Sequence, residues 1–172
     1  QSNDRRRMYG LGNRLWHTDA SFQDPPGRYS LLSARVLPPI GADTEFADMR
    51  AAYDTLPQEM KDQLAGLRVH HSIAHSRQVL GFDFSQSEQE SLKGAIHPLI
   101  RTLPHTHRKS LYVASHASKI IDWPVPEGRL LLRELMEHAT QPEFVYRHTW
   151  RTGDLVIWDN RATMHRARPF DD

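Results

Sequence analysis

Three residues of this chain have the types and the order that a single metal ion needs. His17 and Asp19 stand two apart in Leu15-Trp16-His17-Thr18-Asp19, and His165 follows Trp158-Asp159-Asn160 near the other end. On an extended strand, residues i and i+2 point to the same side, so one strand can aim an imidazole and a carboxylate at one ion. His165 completes the face. Two histidines and one carboxylate, with other positions left open, suit a non-haem Fe(II) that must hold a co-substrate and oxygen together. Read alone the triplet is weak, because with 11 histidines in 172 residues about one H-x-D is expected by chance. Its surroundings strengthen it. Trp16 before it, and Ala20, Ser21 and Phe22 after it, form the apolar and small-residue edge of a strand entering a pocket, and His165 lies downstream of Leu155-Val156-Ile157-Trp158.

The elements that must position these residues are short. Tyr29 to Leu37 reads as a strand stopped by Pro38-Pro39, and Thr44 to Phe46 as another. Residues 47–64 turn helical, in two pieces divided at Pro57. Leu67 to Ile73 is again extended, and Ser85 with Glu88 opens a short surface helix. Strands are expected at Ile96 to Thr102 and Ser110 to Ala114, and a helix at Pro126 to His138 with an apolar side. Phe144 to Trp150, Asp154 to Asp159 and Thr163 to Ala167 close the chain as strands, the first two expected to form a hairpin across Thr152-Gly153-Asp154. Many short strands with helices inserted in one middle block predict a mainly β jelly roll, cupin-like in form, rather than alternating βα units. The mouth of such a barrel can bring an early and a late strand together, as the distance from His17 to His165 requires.

Composition narrows the function. Lys+Arg 22 against Asp+Glu 21 leaves a net charge of +1, so no global field points to nucleic acid or to an anionic membrane. The one basic run, Arg5-Arg6-Arg7, reads as a solvated terminal arm without a function. Cysteine is absent, which excludes disulfides and thiolate metal sites and agrees with a cytoplasmic enzyme. No apolar run approaches a membrane span, and the N-terminus lacks the apolar core of a signal peptide. The length is that of one domain, residues 1–172, expected to be incomplete at both ends. A homo-oligomer is neither required nor excluded.

Longer strings carry a resemblance. Trp16 to Phe22 (W-H-T-D-A-S-F), T-E-F-A-D-M-R-A-A-Y-D from Thr44, V-P-E-G-R-L-L-L-R-E-L from Val125, H-A-T-Q-P-E-F-V-Y from His138 and W-D-N-R-A-T-M-H-R from Trp158 resemble the taurine dioxygenase and 2,4-dichlorophenoxyacetate dioxygenase (TauD/TfdA) family, nearer its 2,4-dichlorophenoxyacetate branch. The resemblance implies a double-stranded β-helix and a dioxygenase that uses Fe(II), 2-oxoglutarate and O2 to hydroxylate a small carboxylate, an aryloxyalkanoate in the first instance. A taurine or alkylsulfonate substrate, or a non-catalytic metal-binding jelly roll, are the alternatives. It also implies iron ligands at His17, Asp19 and His165, a hydroxyl at Thr44 that supports a 2-oxoglutarate carboxylate, and a substrate-carboxylate contact at His116. The arginines that would clamp 2-oxoglutarate and the substrate acid have no counterpart up to Asp172, since Arg166 and Arg168 stand too close to His165; they are expected beyond it.

Overall fold

A computed structural model describes residues 2–171, with the side chains of residues 2–6, 89, 91 and 171 outside the description. The chain opens with helix α1 (Ser2–Gly12), followed by strands β1 (Tyr29–Ser33), β2 (Ile40–Gly41) and β3 (Thr44–Asp48) and helices α2 (Met49–Asp54) and α3 (Gln58–Leu64). The middle block holds β4 (Arg68–His71), α4 (Ile73–Gln78), α5 (Gln86–Ser91), β5 (Ala95–Pro98), β6 (Ile100–Thr102), β7 (Lys109–Leu111), β8 (Ala117–Ile120) and α6 (Val125–Ala139). A 3-10 turn, Pro142–Phe144, leads into β9 (Val145–His148), β10 (Leu155–Asp159), β11 (Thr163–Ala167) and β12 (Phe170–Asp171). Every ladder among the described residues is antiparallel. The architecture is the expected mainly β jelly roll with inserted helices, the double-stranded β-helix.

Strand β3 is the axis of the part that matters for function. It lies between β11 and β9, with Phe46 opposite His165 on one side and Tyr146 on the other. Flanked on both edges, its residues Thr44 to Ala47 are all buried, which is why T-E-F-A shows no clean polar alternation. Asp48 then turns the strand directly into α2: its carboxylate accepts from the Arg50 and Ala51 amides at 2.9 and 3.3 Å, a cap worth about 1 kcal/mol. Helix α2 lays Met49, Ala52 and Tyr53 against Leu131, Leu132 and Leu135 of α6 and against Leu111, Val113 and Ile120, and this apolar core backs the sheet.

Several expectations need correction. The strands on either side of Gly153 do not form a hairpin: β9 pairs with β3 and β10 with β1, so the turn carries the chain from one sheet to the other. Ala34 fixes that turn, its N–H donating to the Asp154 carbonyl and its own carbonyl accepting from Gly153. The strand predicted up to Ile73 stops at His71, because the Ser72 hydroxyl accepts from the His75 amide at 3.2 Å and starts α4. The strand predicted from Ile96 changes partner at Leu99, pairing with β4 before it and β7 after it. Strand β8 has few β-branched residues and escaped the pattern. The basic run lies on α1 rather than on an arm; Arg7 is exposed, and the side chains of Arg5 and Arg6 lie outside the described residues. No helix among the described residues is long and apolar enough to cross a membrane.

Candidate metal centre

The two histidines are joined through their backbones. His17 donates to the His165 carbonyl at 3.0 Å and His165 donates to the His17 carbonyl at 2.8 Å, a reciprocal bridge at the free edge of β11. Asp19 is not on a strand with His17, as the i, i+2 reading supposed. It opens a turn in which Ala20 takes a φ of 55°, and what returns its carboxylate to the histidines is Asn160. The Asn160 Oδ1 accepts from the Asp19 amide at 3.1 Å, and the Thr18 hydroxyl donates to the Asn160 carbonyl at 2.6 Å.

The three side chains converge. Asp19 Oδ1 lies 3.7 Å from His17 Nε2 and 3.6 Å from His165 Nε2, and the three donor atoms fall within 4.8 Å of one another. These separations are too long for hydrogen bonds, so the atoms face a shared space. The other carboxylate oxygen, Oδ2, accepts from Ser30 Oγ at 2.5 Å. Protonation fits a metal as well. The Leu15 carbonyl can only accept, so the contact at 2.7 Å puts the His17 proton on Nδ1 and leaves Nε2 a bare donor. Burial, partly opposed by the Leu15 contact and by Asp19, holds His17 below its ordinary pKa. His165 is pushed down to about 3, first by burial and then by His17, with Asp19 opposing. Both imidazoles are therefore neutral, the form that binds a metal.

A cavity of about 220 Å³ opens on these atoms, lined also by Thr44, Leu32 and Trp158. Thr44 Oγ1 accepts from Trp150 Nε1 at 3.0 Å, which leaves its own hydrogen free to donate into the cavity. The Trp158 ring stands 4.8 Å from the His165 ring and donates through Nε1 to Asn160 at 3.1 Å. His116 is at the rear of His17, ring centroids 6.1 Å apart, and packs edge-on to Phe22. Its Nδ1 is 2.9 Å from Ser76 Oγ, and burial, then His17 and His71, holds its pKa well below the usual value. Arg166 and Arg168 both turn to Glu45, at 2.7 and 3.6 Å. A larger cleft of about 510 Å³ beside Tyr29 and Leu103 holds no convergent set, since its arginines are already paired, Arg50 with Asp48 and Arg161 with Asp159.

The structure thus gathers His17, Asp19, His165 and Thr44 around one cavity, while His116 is buried behind His17 and does not line it. Sequence reading passed over Ser30 and Asn160, which hold Asp19. Asn160 is 1% exposed, and an amide two residues after a pocket tryptophan was the only available hint.

The model of the family described as taurine catabolism dioxygenase TauD, TfdA family matches residues 1–172. Over 170 residues the chain is 55% identical to the alpha-ketoglutarate-dependent 2,4-dichlorophenoxyacetate dioxygenase of Burkholderia sp. (strain RASC) and 52% identical to that of Cupriavidus pinatubonensis. Each match covers 98% of this chain, but only 57% and 59% of the relatives. The crystal structure of AAD-2 in complex with Mn(II) and N-oxalylglycine superposes with a TM-score of 0.95 at 54% identity, covering 99% of this chain and 62% of that one. The chain spans about three fifths of the length of the relatives it matches.

Proposed function

The chain belongs to the TauD/TfdA family of dioxygenases, and from there we propose that residues 1–172 belong to one dioxygenase domain that uses Fe(II), 2-oxoglutarate and O2 to hydroxylate a small carboxylate, an aryloxyalkanoate such as 2,4-dichlorophenoxyacetate. The observation that carries this reading is the convergence of His17 Nε2, Asp19 Oδ1 and His165 Nε2 on one cavity. Iron, 2-oxoglutarate and O2, when bound, would supply the oxidising power, with succinate and CO2 as co-products, for hydroxylating the carbon beside the ether oxygen, and the resulting hemiacetal would break down to a phenol and glyoxylate.

The protein's part is to bind, orient and exclude water. His17, Asp19 and His165 hold the metal through neutral imidazoles and one carboxylate oxygen. The Thr44 hydroxyl, fixed by Trp150, donates to a 2-oxoglutarate carboxylate without adding charge beside the iron. Trp158 walls the cavity against His165, and Phe46 stacks on the His165 ring from the side of the neighbouring cleft. His116 meets the substrate's acid group. The lack of cysteine agrees with a cytoplasmic setting.

Anaerobic addition of Fe(II) and 2-oxoglutarate tests the reading: a visible metal-to-ligand charge-transfer band is expected, and its absence would leave only a metal-binding jelly roll. Succinate release is then measured across aryloxyacetates and alkylsulfonates. Release with the sulfonates alone moves the substrate class to the sulfonate branch.

A further inference from the structure

We propose that Ser30 and Asn160 are positioning residues that hold Asp19 as a one-oxygen metal ligand and couple that geometry to the cavity wall at Trp158. The inference rests on Asp19 being a ligand. Its support lies in the direction of each hydrogen bond.

Asp19 has two oxygens with different surroundings. Oδ1 faces the Nε2 atoms of His17 and His165, while Oδ2 is capped by the Ser30 hydroxyl at 2.5 Å, a short charge-assisted bond. Ser30 has one hydrogen to give, and Asn160 decides where it goes. Asn160 Nδ2 donates to Ser30 Oγ at 2.8 Å, so that oxygen already accepts and its hydrogen turns to the carboxylate. Nor can the Asn160 amide be reversed. Its Oδ1 accepts from the Asp19 amide and from Trp158 Nε1, both at 3.1 Å and both able only to donate. Exchanging O and N would set the NH2 group against two N–H groups and turn the carbonyl oxygen toward Ser30.

The sequence of donation is therefore fixed, from Asn160 through Ser30 to Asp19. The backbone reinforces it, because Ser30 and Trp158 are register partners across β1 and β10, and Asn160 donates its own N–H to the Arg28 carbonyl at 2.9 Å. A carboxylate capped in this way binds through Oδ1 alone, since two-oxygen binding would have to break the Ser30 bond. One-oxygen binding would leave a bound metal another position for the molecules that must bind there.

The test uses Co(II), whose visible absorption weakens as coordination number rises, together with thermal unfolding. Wild type should bind Co(II) with a defined spectrum that Asp19→Ala abolishes. Ser30→Ala should bind Co(II) about tenfold more weakly, with a less intense spectrum as Oδ2 joins the metal and with Tm little changed, and Ser30→Thr should restore the wild-type spectrum. Asn160→Asp repeats the test should Ser30→Ala not fold: an acceptor in place of Nδ2 draws the Ser30 hydrogen away from Asp19, and the same spectral change is expected. A wild-type spectrum and affinity in whichever variant folds would overturn the positioning role and leave the metal site standing. Failure of wild type to bind Co(II) would overturn both.

Discussion

The protein buries two pairs of histidines, each with its rings a short distance apart, and only one of the two pairs converges on a carboxylate. His17 and His165 have ring centroids 4.2 Å apart, and His71 and His97, on β4 and β5, 5.7 Å apart. Burial acts on both pairs alike: His165 and His71 are each pushed down to about 3, chiefly by desolvation. What separates them is the aim of the ring nitrogens. In the first pair both Nε2 atoms face one carboxylate oxygen. In the second, His71 Nδ1 meets Ser21 Oγ and His97 Nε2 donates to the Gln23 carbonyl, both at 3.1 Å, and the neighbouring charge is Arg101, lying over Tyr112. A depressed histidine pKa therefore does not by itself tell the two pairs apart; bare nitrogens that converge on a carboxylate do. The second pair has mechanical work instead, because residues 21 and 23 belong to the turn that follows Asp19.

Removing the carboxylate should erase the difference. Asp19→Ala leaves two buried neutral imidazoles like the other pair, and metal affinity should fall by more than about a hundredfold, as a Co(II) or Fe(II) titration would read, with stability within about 1 kcal/mol of wild type. His71→Ala should do the reverse. It opens a hole in the interior and leaves Ser21 without that partner, so stability should drop by about 2–4 kcal/mol in urea unfolding, while metal affinity falls less than tenfold. A hundredfold loss of affinity in His71→Ala would mean that the two regions are not separable.

How much of this was legible beforehand follows the same division. The triad could be read from residue types, and β3, α2, α6 and β11 from periodicity and the stop at Pro57, because those signals are local. The support could not. Ser30 and Asn160 reach Asp19 only after β1 pairs with β10, and Ser21 reaches His71 only after residues 21–23 dock on another sheet. The mistaken hairpin at Gly153 has the same origin: β9 and β10 are neighbours in sequence, yet each finds its partner, β3 or β1, far away. The reading that put Asp19 on the strand of His17 failed because the Ala20 backbone conformation, at φ 55°, is a tertiary outcome.

Acid should sharpen the contrast. With its folded pKa near 3 against an ordinary 6.5, His71 takes up a proton in the unfolded chain before it does so in the fold. Stability is therefore intact above pH 6.5 and is lost as pH falls toward 3, by about 1.4 kcal/mol for each pH unit from this residue. His71→Asn keeps a polar group toward Ser21 but cannot titrate. With metal chelated, its unfolding free energy at pH 6.5, 5.5 and 4.5 should show a slope shallower by that amount, and an unchanged slope would place the acid sensitivity in the other buried histidines.

His116 lies between the two pairs, held neutral by burial and by His17 and His71, and it gives the smallest expected effect. Ser76 Oγ donates to the Ile73 carbonyl at 2.9 Å, so the contact with His116 Nδ1 is satisfied when that nitrogen carries the imidazole hydrogen. Nε2 is then a bare acceptor and repels a carboxylate unless a proton arrives with it. Substrate binding should consequently take up a proton, and KM for an aryloxyacetate should rise as pH is raised from 6 to 8. His116→Ala should raise KM roughly fivefold at pH 6, about 1 kcal/mol, flatten that pH dependence and leave the Co(II) spectrum as it was. An unchanged KM would remove His116 from the substrate contact. A KM that rises while the pH dependence persists would keep the contact and move the proton to another group. The burial that makes His71 a liability in acid would, at His116, make acid binding depend on a proton, and the two effects are told apart because only one of them needs substrate.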